Sequence, residues 1–178
     1  IDKLDNEERP IAFDIEIIAN ETACIGFANN AYEGICINFR DGSTNRYSLE
    51  QERLLRDKIQ DFFNDTSNQF IAQNGSFDMG WLWFKDRINV PKIWFDTLLA
   101  HHTLYPRLPH NLGYLTAQYT DHPYYKDEGK TWREGGNIDQ FWEYNVKDCC
   151  ITWAVHAGVL KELNTQKLSD FYFSHVQR

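Results

Sequence analysis

The pattern of apolar and polar positions is most informative in the eight residues Ile11–Ile18. They are mostly β-branched or aromatic, which is typical of a β-strand. Because successive side chains of a strand point to opposite faces, one face carries the apolar set Ile11, Phe13, Ile15 and Ile17. The other face carries Asp14 and Glu16, which lie roughly 7 Å apart along the strand. Two interpretations remain open: an edge strand with two solvated acids, or a buried strand whose carboxylates are paired or bind a metal.

The rest of the pattern predicts an antiparallel meander followed by alternating helices and strands. Further strands are predicted at 22–29, 34–40 and 70–72, with a short extended piece at 93–95. Helices are predicted at 48–63, 74–84, 96–105, 111–119, 138–163 and 167–178, with a polar loop at 41–46 and a long loop at 121–136. The predicted N-caps are Ser48, Asn74, Asp96 and Asn111. The expected fold class is α/β: a mixed sheet of an antiparallel three-strand meander plus parallel strands, flanked by helices.

Composition narrows the class of protein. A chain of 178 residues suffices for one domain with a substantial core, so we interpret 1–178 as a single domain. The net charge of −8 argues against a broad surface for duplex nucleic acid, and no apolar stretch reaches the length of about 18 residues that predicts a membrane span. The chain begins with Ile and its single Met is Met79, so we expect a fragment of a longer protein. Four Cys without CxxC spacing, and no secretory signal, predict free thiols in an intracellular reducing compartment.

Two further acidic residues, Asp78 and Asp148, are candidate metal ligands. Asp78 falls in the first turn of its predicted helix, where the helix dipole favours an anion. Asp148 falls inside an apolar stripe of the long predicted helix 138–163, and Tyr144 precedes it by four residues, so the two side chains are neighbours on the helix surface. A buried carboxylate needs a partner, and a metal shared with the two strand acids would supply one. The alternatives are an ordinary helix-start acid at 78 and a core Asp148 bonded to a tyrosine or to the backbone.

Three short motifs that contain the candidate acids follow one another along the chain. Phe-Asp-Ile-Glu stands at 13–16, Gln-Asn-Gly-Ser-Phe-Asp at 73–78, and Tyr-Asn-Val-Lys-Asp at 144–148. The ordered set resembles the exonuclease motifs of the DEDD superfamily, and the Tyr-x-x-x-Asp spacing resembles its DEDDy branch. Secondary motifs at 95–99 and 110–115 also resemble that family, so the resemblance covers positions 11 to about 160.

The resemblance implies a ribonuclease H-like fold and a metal-dependent 3′→5′ exonuclease. It implies that the metal ligands are Asp14, Glu16, Asp78 and Asp148, and that these four act with Tyr144 as the catalytic residues. They would hold two divalent cations, Mg²⁺ or Mn²⁺, because these ions prefer oxygen ligands. The ions would activate water for attack on the 3′-terminal phosphodiester and stabilise the leaving 3′ oxygen. Tyr144 would orient the water, since a phenol with a pKa near 10 is a poor base at neutral pH.

The resemblance also predicts contacts with the substrate. Gln73, Asn74 and Phe77 would lie near the scissile end of the nucleic acid, and the backbone at Ile17 would contact the terminal nucleotide. The chain departs from the family pattern at this point. Relatives often carry Thr at the position of Ile17 and an apolar wedge residue at the position of Asn20. We therefore expect the grip on the terminal base to be weaker, or to be built from other residues.

The predicted loop 121–136 interleaves aromatic and cationic side chains. Base stacking combined with phosphate contact suits single-stranded nucleic acid. We therefore predict substrate contacts from Tyr124, Lys126 and Lys130. The alternative is a packed surface loop whose charges are solvated.

Within the superfamily, the pattern is most similar to the proofreading domain of family A DNA polymerases, particularly phage- or organelle-related ones. That resemblance implies the 3′ end of single-stranded DNA as substrate and a polymerase domain C-terminal to Arg178 in the same chain. We expect no membrane partner, a monomer as the isolated domain, and a location in the host cytoplasm if the chain is phage-derived, or in an organelle. Two alternatives remain open: an RNA-trimming exonuclease of the same branch, and a catalytically silent nucleic-acid-binding or polymerase-docking domain.

Overall fold

The computed structural model describes residues 10–41, 44–123, 125 and 137–177. Within them the strands are β1 (Ile11–Ile18), β2 (Glu21–Ala28), β3 (Gly34–Asn38), β4 (Arg40–Asp41), β5 (Thr44–Asn45), β6 (Phe70–Ala72) and β7 (Phe95–Asp96). The helices are α1 (Leu49–Asn64), α2 (Gly75–Trp81), α3 (Thr97–Leu104), α4 (Leu112–Tyr119), α5 (Ile138–Thr165) and α6 (Ser169–Phe171). The π-helical segments Leu82–Asp86 and Tyr172–Val176 continue α2 and α6.

The main sheet has five strands in the order β3-β2-β1-β6-β7. The first three strands form the predicted antiparallel meander, whereas β6 pairs parallel with β1, and β7 pairs parallel with β6. The turn between β1 and β2 is tight because Ala19 and Asn20 both have positive φ, which matches the twist of a two-residue hairpin. The predicted α/β class and the mixed sheet are confirmed.

Helices cover both faces of this sheet, and each face has its own core. The face toward α1, called here the aromatic face, buries a cluster of rings from Phe13, Phe27, Phe62, Phe63 and Phe70. The rings of Phe13 and Phe63 meet edge to face, with centroids 5.2 Å apart. The opposite face, called here the acidic face, is covered by α3, α4 and α5. Because its side chains alternate, β1 contributes to both faces, as its sequence pattern predicts.

The predicted helix starts are confirmed, but the side chain of Asn74 does not cap its helix as predicted. Asn74 has a left-handed backbone (φ 62°), and its side chain makes no capping hydrogen bond, so the prediction that it caps α2 is wrong. The carboxylate of Asp96 takes that role, accepting the backbone N–H of Asn74 at 3.1 Å and that of Gly75 at 2.8 Å. The same carboxylate caps α3 by accepting the N–H groups of Leu98 and Leu99. One buried side chain therefore holds the starts of two helices.

The predicted helix 74–84 is α-helical only as far as Trp81 and then continues as a π-helix. Asp86, at the end of the π-helix, is buried and accepts hydrogen bonds from the Thr22 hydroxyl at 2.5 Å and from Arg56. The indole N–H of Trp81 donates to the same hydroxyl at 2.9 Å. This chain of polar contacts ties β2, α1 and the π-helix together, which explains why a buried acid is tolerated there.

Other differences from the sequence pattern are local. The predicted polar loop 41–46 contains part of the small hairpin of β4 and β5. The predicted helix 167–178 is shorter, consisting of α6 and its π-helical continuation. Most of the predicted loop 121–136 lies outside the described residues. None of the helices described is long and apolar enough to cross a membrane.

Candidate active site

Three carboxylates from two elements meet on the acidic face. Asp14 and Glu16 project from β1, and Asp148 projects from α5, which packs across the first three strands. One oxygen of each residue lies within 4.8 Å of the others. Asp148 is buried, whereas Asp14 and Glu16 are half-buried. The structure therefore brings the predicted helix acid to the face of β1 that carries the two strand acids.

The donor set of this cluster consists of oxygens. Three carboxylates so close together repel one another unless a proton or a cation offsets their charge. Oxygen ligands suit Mg²⁺ or Mn²⁺ better than Zn²⁺, which favours nitrogen and sulfur. Cys149 lies nearby, but burial raises the pKa of its thiol well above the usual range, and the Asp14 and Asp148 carboxylates raise it further. The thiol therefore stays neutral, and the arrangement fits a hard divalent cation.

Asp78 approaches β1 from its β6 side. The backbone N–H of Ile15, which lies between the two strand acids in sequence, donates to Asp78 Oδ1 at 3.3 Å. Burial raises the pKa of Asp78 to about 7, and the neighbouring Asp96 carboxylate adds to the increase, whereas the hydrogen bond from Ile15 opposes it. Within the described part of the chain, Asp78 is not a member of the three-carboxylate cluster. It lies beside the cluster, held by the strand that carries two of its members.

Two tyrosines flank Asp148. The hydroxyl of Tyr125 donates to Asp148 Oδ1 at 2.5 Å, and its buried ring lies 5.9 Å from the ring of Tyr144. Lys147 lies over the Tyr125 ring, with its Nζ 5.1 Å from the centroid. The sequence motifs predict Tyr144 at this position but give no signal for Tyr125, because a long loop without periodicity does not specify where its side chains go. Tyr125 belongs to the loop in which we predict base stacking, but its hydrogen bond to Asp148 was not foreseen from the sequence.

The chemistry of Tyr144 follows from its surroundings. Burial raises its pKa above the ordinary value, and the carboxylates of Asp148 and Glu16 raise it further. The phenol therefore keeps its proton near neutral pH and offers a hydrogen-bond donor. This agrees with a role in orienting a nucleophile and disfavours a role as a base.

Asn145 is a residue that the sequence reasoning missed. It lies on α5 next to Tyr144, is fully buried, and its amide Nδ2 donates to Asp14 Oδ2 at 3.0 Å. A signal was present in the sequence, because a residue three positions before Asp148 shares its side of a helix. An amide on the same side as a candidate metal ligand could therefore have been identified as its neighbour.

The predicted substrate contacts at Gln73 and Asn74 lie at the end of β6. The Gln73 side chain donates from Nε2 to the backbone oxygen of His110 at 2.8 Å and accepts from the Thr97 hydroxyl at 2.5 Å. These bonds join β6 to α3 and to the segment before α4. Asn74 follows directly, in the left-handed conformation that begins α2. Both residues lie close in sequence to Asp78, as their motif predicts.

The other predicted contacts lie in different environments. Phe77 is 53% exposed and stacks on Trp81, with ring centroids 6.2 Å apart. Ile17 packs against the aromatic face, just after an irregularity in the β1–β2 pairing between Glu16 and Ile17. The remaining predicted contacts lie outside the described residues: Tyr124, Lys126 and Lys130.

Comparisons with known proteins agree with this geometry. A family model described as 3′-5′ exonuclease matches residues 1–164. Similar solved structures include the catalytic core of RRP6 from Trypanosoma brucei (TM-score 0.71, 16% identity, 99% of this chain and 46% of that chain). Another is Brucella melitensis NrnC with bound Mg²⁺ (TM-score 0.67, 14% identity, 94% and 80%). A third is the POL domain of Pol1 from M. smegmatis in complex with DNA primer-template and dNTP (TM-score 0.65, 12% identity, 97% and 27%).

At these identities the likeness to solved structures shows the fold, and the expected ribonuclease H-like nuclease architecture is confirmed. No curated protein sequence matches the chain.

Proposed function

We propose that this chain, which belongs to the 3′-5′ exonuclease family, hydrolyses the 3′-terminal phosphodiester of single-stranded or frayed DNA and releases nucleoside monophosphates. The observation that carries the proposal is the cluster of Asp14, Glu16 and Asp148, whose oxygens lie within 4.8 Å of one another. A phosphodiester carries negative charge, so an all-carboxylate site can act on it only with cations present. The cluster thus supports a metal-dependent hydrolase.

The residues would divide the work as follows. Asp14, Glu16 and Asp148 hold one divalent cation, and Asp78, which lies beside β1, contributes to the site of a second. When bound, such ions lower the pKa of water and offset the charge that develops on the phosphate. The structure of NrnC with bound Mg²⁺ supports the same choice of ion for this chain. Tyr144, whose hydroxyl stays protonated, orients the attacking water.

The exposed ring of Phe77 suits contact with a nucleobase, and Gln73 and Asn74, which directly precede α2, would contact the substrate near its scissile end. Proofreading of DNA is the finer part of the proposal. The likeness to the POL domain of Pol1, solved with DNA primer-template, supports it. This chain spans 27% of that solved chain. A polymerase domain C-terminal to Arg178 is part of the same proposal.

A single assay tests the activity and its substrate. The protein is incubated with 5′-labelled single-stranded DNA or RNA, with Mg²⁺, Mn²⁺ or chelator. We expect shortening from the 3′ end that requires metal, with nucleoside monophosphates as product and frayed ends cut faster than paired ones. Absence of laddering with either metal would contradict the nuclease proposal. RNA degraded much faster than DNA would contradict the DNA proposal and favour an RNA-trimming enzyme.

Matched variants test the site. Asp148→Asn removes the charge of a cluster member without changing its size, and we expect it to abolish laddering. Asp61→Asn is the control, because Asp61 is exposed on α1, on the opposite side of the sheet. Equal rates for the two variants would show that the activity resides elsewhere.

A further inference from the structure

Asn145 contacts Asp14 through two hydrogen bonds from one amide group. Its Nδ2 donates to Asp14 Oδ2 at 3.0 Å and to the backbone oxygen of the same residue at 3.3 Å. The first bond constrains the direction of the carboxylate, and the second ties the helix to the backbone of β1. An amide donor is neutral, so it fixes the carboxylate without neutralising its charge, which a Lys or Arg at this position would do.

Gly26 makes this contact possible. It lies on β2 directly opposite Asp14 in the strand register. A Cβ at position 26 would collide with Asn145 Oδ1 and would lie 2.8 Å from Cys149 Sγ. The absence of a side chain there lets α5 approach the sheet closely enough for the Asn145 amide to reach Asp14.

The oxygen of the Asn145 amide destabilises the folded protein. This Oδ1 atom is buried and, among the described residues, has no hydrogen-bond partner. An unsatisfied buried acceptor costs about 1–3 kcal/mol. An apolar side chain of the same size would fill the space without that cost. A purely structural role therefore does not explain an amide at this position, whereas its bond to a carboxylate of the acidic cluster does.

We propose that Asn145 is a positioning residue that holds the Asp14 carboxylate in the orientation in which the acidic cluster binds a divalent cation. The inference rests on the proposed function for the identity of the cation site. Substituting a side chain that holds a metal ligand in place typically lowers metal affinity or activity about 10–100-fold. Asn145 would act through Asp14 and would not touch the cation.

Metal binding measured without nucleic acid tests this role. Mn²⁺ is titrated into the wild-type protein and into Asn145→Leu, which keeps the volume but removes the donor, and free Mn²⁺ is followed by electron paramagnetic resonance. We expect affinity for Mn²⁺ to fall about 10-fold or more. Thermal unfolding in chelator should be unchanged or shifted upward, because the unsatisfied oxygen is gone. Gln140→Leu, an exposed position on the same helix, is the matched control and should bind as wild type does.

Two further variants test the same role if Asn145→Leu does not fold. Asn145→Ser keeps a smaller polar side chain that cannot reach Asp14, and Gly26→Ala displaces the Asn145 amide without changing it. Both should weaken Mn²⁺ binding in the same direction. Folded variants that bind Mn²⁺ within about twofold of wild type would overturn the inference. That outcome is distinct from a failure of the proposed function, in which the wild-type protein binds Mn²⁺ but does not shorten DNA or RNA.

Discussion

The aromatic and acidic faces of the sheet hold very different side chains although they share β1. On the aromatic face, Phe13 is buried among other phenylalanine rings, which favours folding through apolar burial. On the acidic face, Asp14 lies in a cluster of like charges next to an amide whose oxygen finds no hydrogen-bond partner in the part of the chain that the structure describes. Both features oppose folding. The alternation of β1 therefore separates two tasks: one face stabilises the fold, and the other carries the chemistry at a cost in stability.

The largest expected effect is on activity, from Asp14→Asn. We expect the exonuclease rate to fall by about 10⁴-fold, equivalent to about 5 kcal/mol, because a neutral amide replaces a charged cation ligand. Stability in chelator should stay the same or rise, since one of three repelling charges is lost. Single-turnover cleavage of labelled DNA and urea unfolding in chelator measure the two quantities. A large loss of stability would show that Asp14 also supports the fold.

The neighbouring change Phe13→Ala should show the opposite pattern. We expect the free energy of unfolding to fall by about 4 kcal/mol, because the substitution leaves a cavity within the aromatic cluster. The fraction that remains folded should keep most of its cleavage rate. Denaturant titration at low temperature, with the rate corrected for folded protein, tests this. Phe13→Leu is the control and should lose less stability. A catalytic defect as deep as that of Asp14→Asn would contradict the separation.

A pH dependence should come from His156 on the acidic face. Its ring is buried against Trp94 and Phe95, and this burial lowers its pKa to about 4, from about 6.5 in the unfolded chain. Its contribution to stability is complete above about pH 6.5. Between about pH 6.5 and pH 4 the unfolded chain binds a proton at this histidine that the folded chain does not. The stability contributed by the neutral ring is therefore lost as pH falls through this range, and the loss totals about 3 kcal/mol. Unfolding measured from pH 7 to 4 should decline less steeply in His156→Phe, and equal slopes would disprove this origin.

The smallest expected effect comes from Trp81→Phe. Its indole N–H donates to the Thr22 hydroxyl, at the polar chain that borders the aromatic face. Losing this bond should lower the free energy of unfolding by about 1 kcal/mol, with no change in metal-dependent cleavage per folded molecule. Thermal unfolding and the cleavage assay would check both expectations. A loss of cleavage would show that this polar chain serves the active site as well as the fold.

The sequence was sufficient to predict the parts of the fold that depend on local pattern. The alternation of β1, the meander and the helix starts at Ser48 and Asn111 follow from periodicity and capping chemistry. The role of Asn74 was mispredicted because a side chain distant in sequence, Asp96, supplies the cap. The π-helix after Trp81 was missed for a similar reason, since it ends on a buried acid whose partners are distant in sequence.

In the candidate site, too, the residues set by local pattern could be predicted from sequence, whereas the contacts set by packing could not. The acids of the cluster could be proposed from sequence because strand alternation and helix spacing put them on defined faces, and a resemblance connected the two elements. The contacts of Tyr125 with Asp148 and of Asn145 with Asp14 could not be predicted, because they depend on how segments distant in sequence pack and on how closely α5 approaches β2. The close approach of α5 to β2 is a property of packing. The feature of the sequence that permits it is the glycine at position 26.

The double cap formed by Asp96 bears on the order in which the site can assemble during synthesis. A ribosome releases Asp78 before Asp96, yet the start of α2 needs the Asp96 carboxylate to satisfy its backbone N–H groups. Helix α5, which carries Asp148, is synthesised later still. The aromatic face, built from segments that emerge early, can therefore collapse before Asp148 joins Asp14 and Glu16. The nascent chain lacks a complete cation site until nearly all of the domain has left the ribosome.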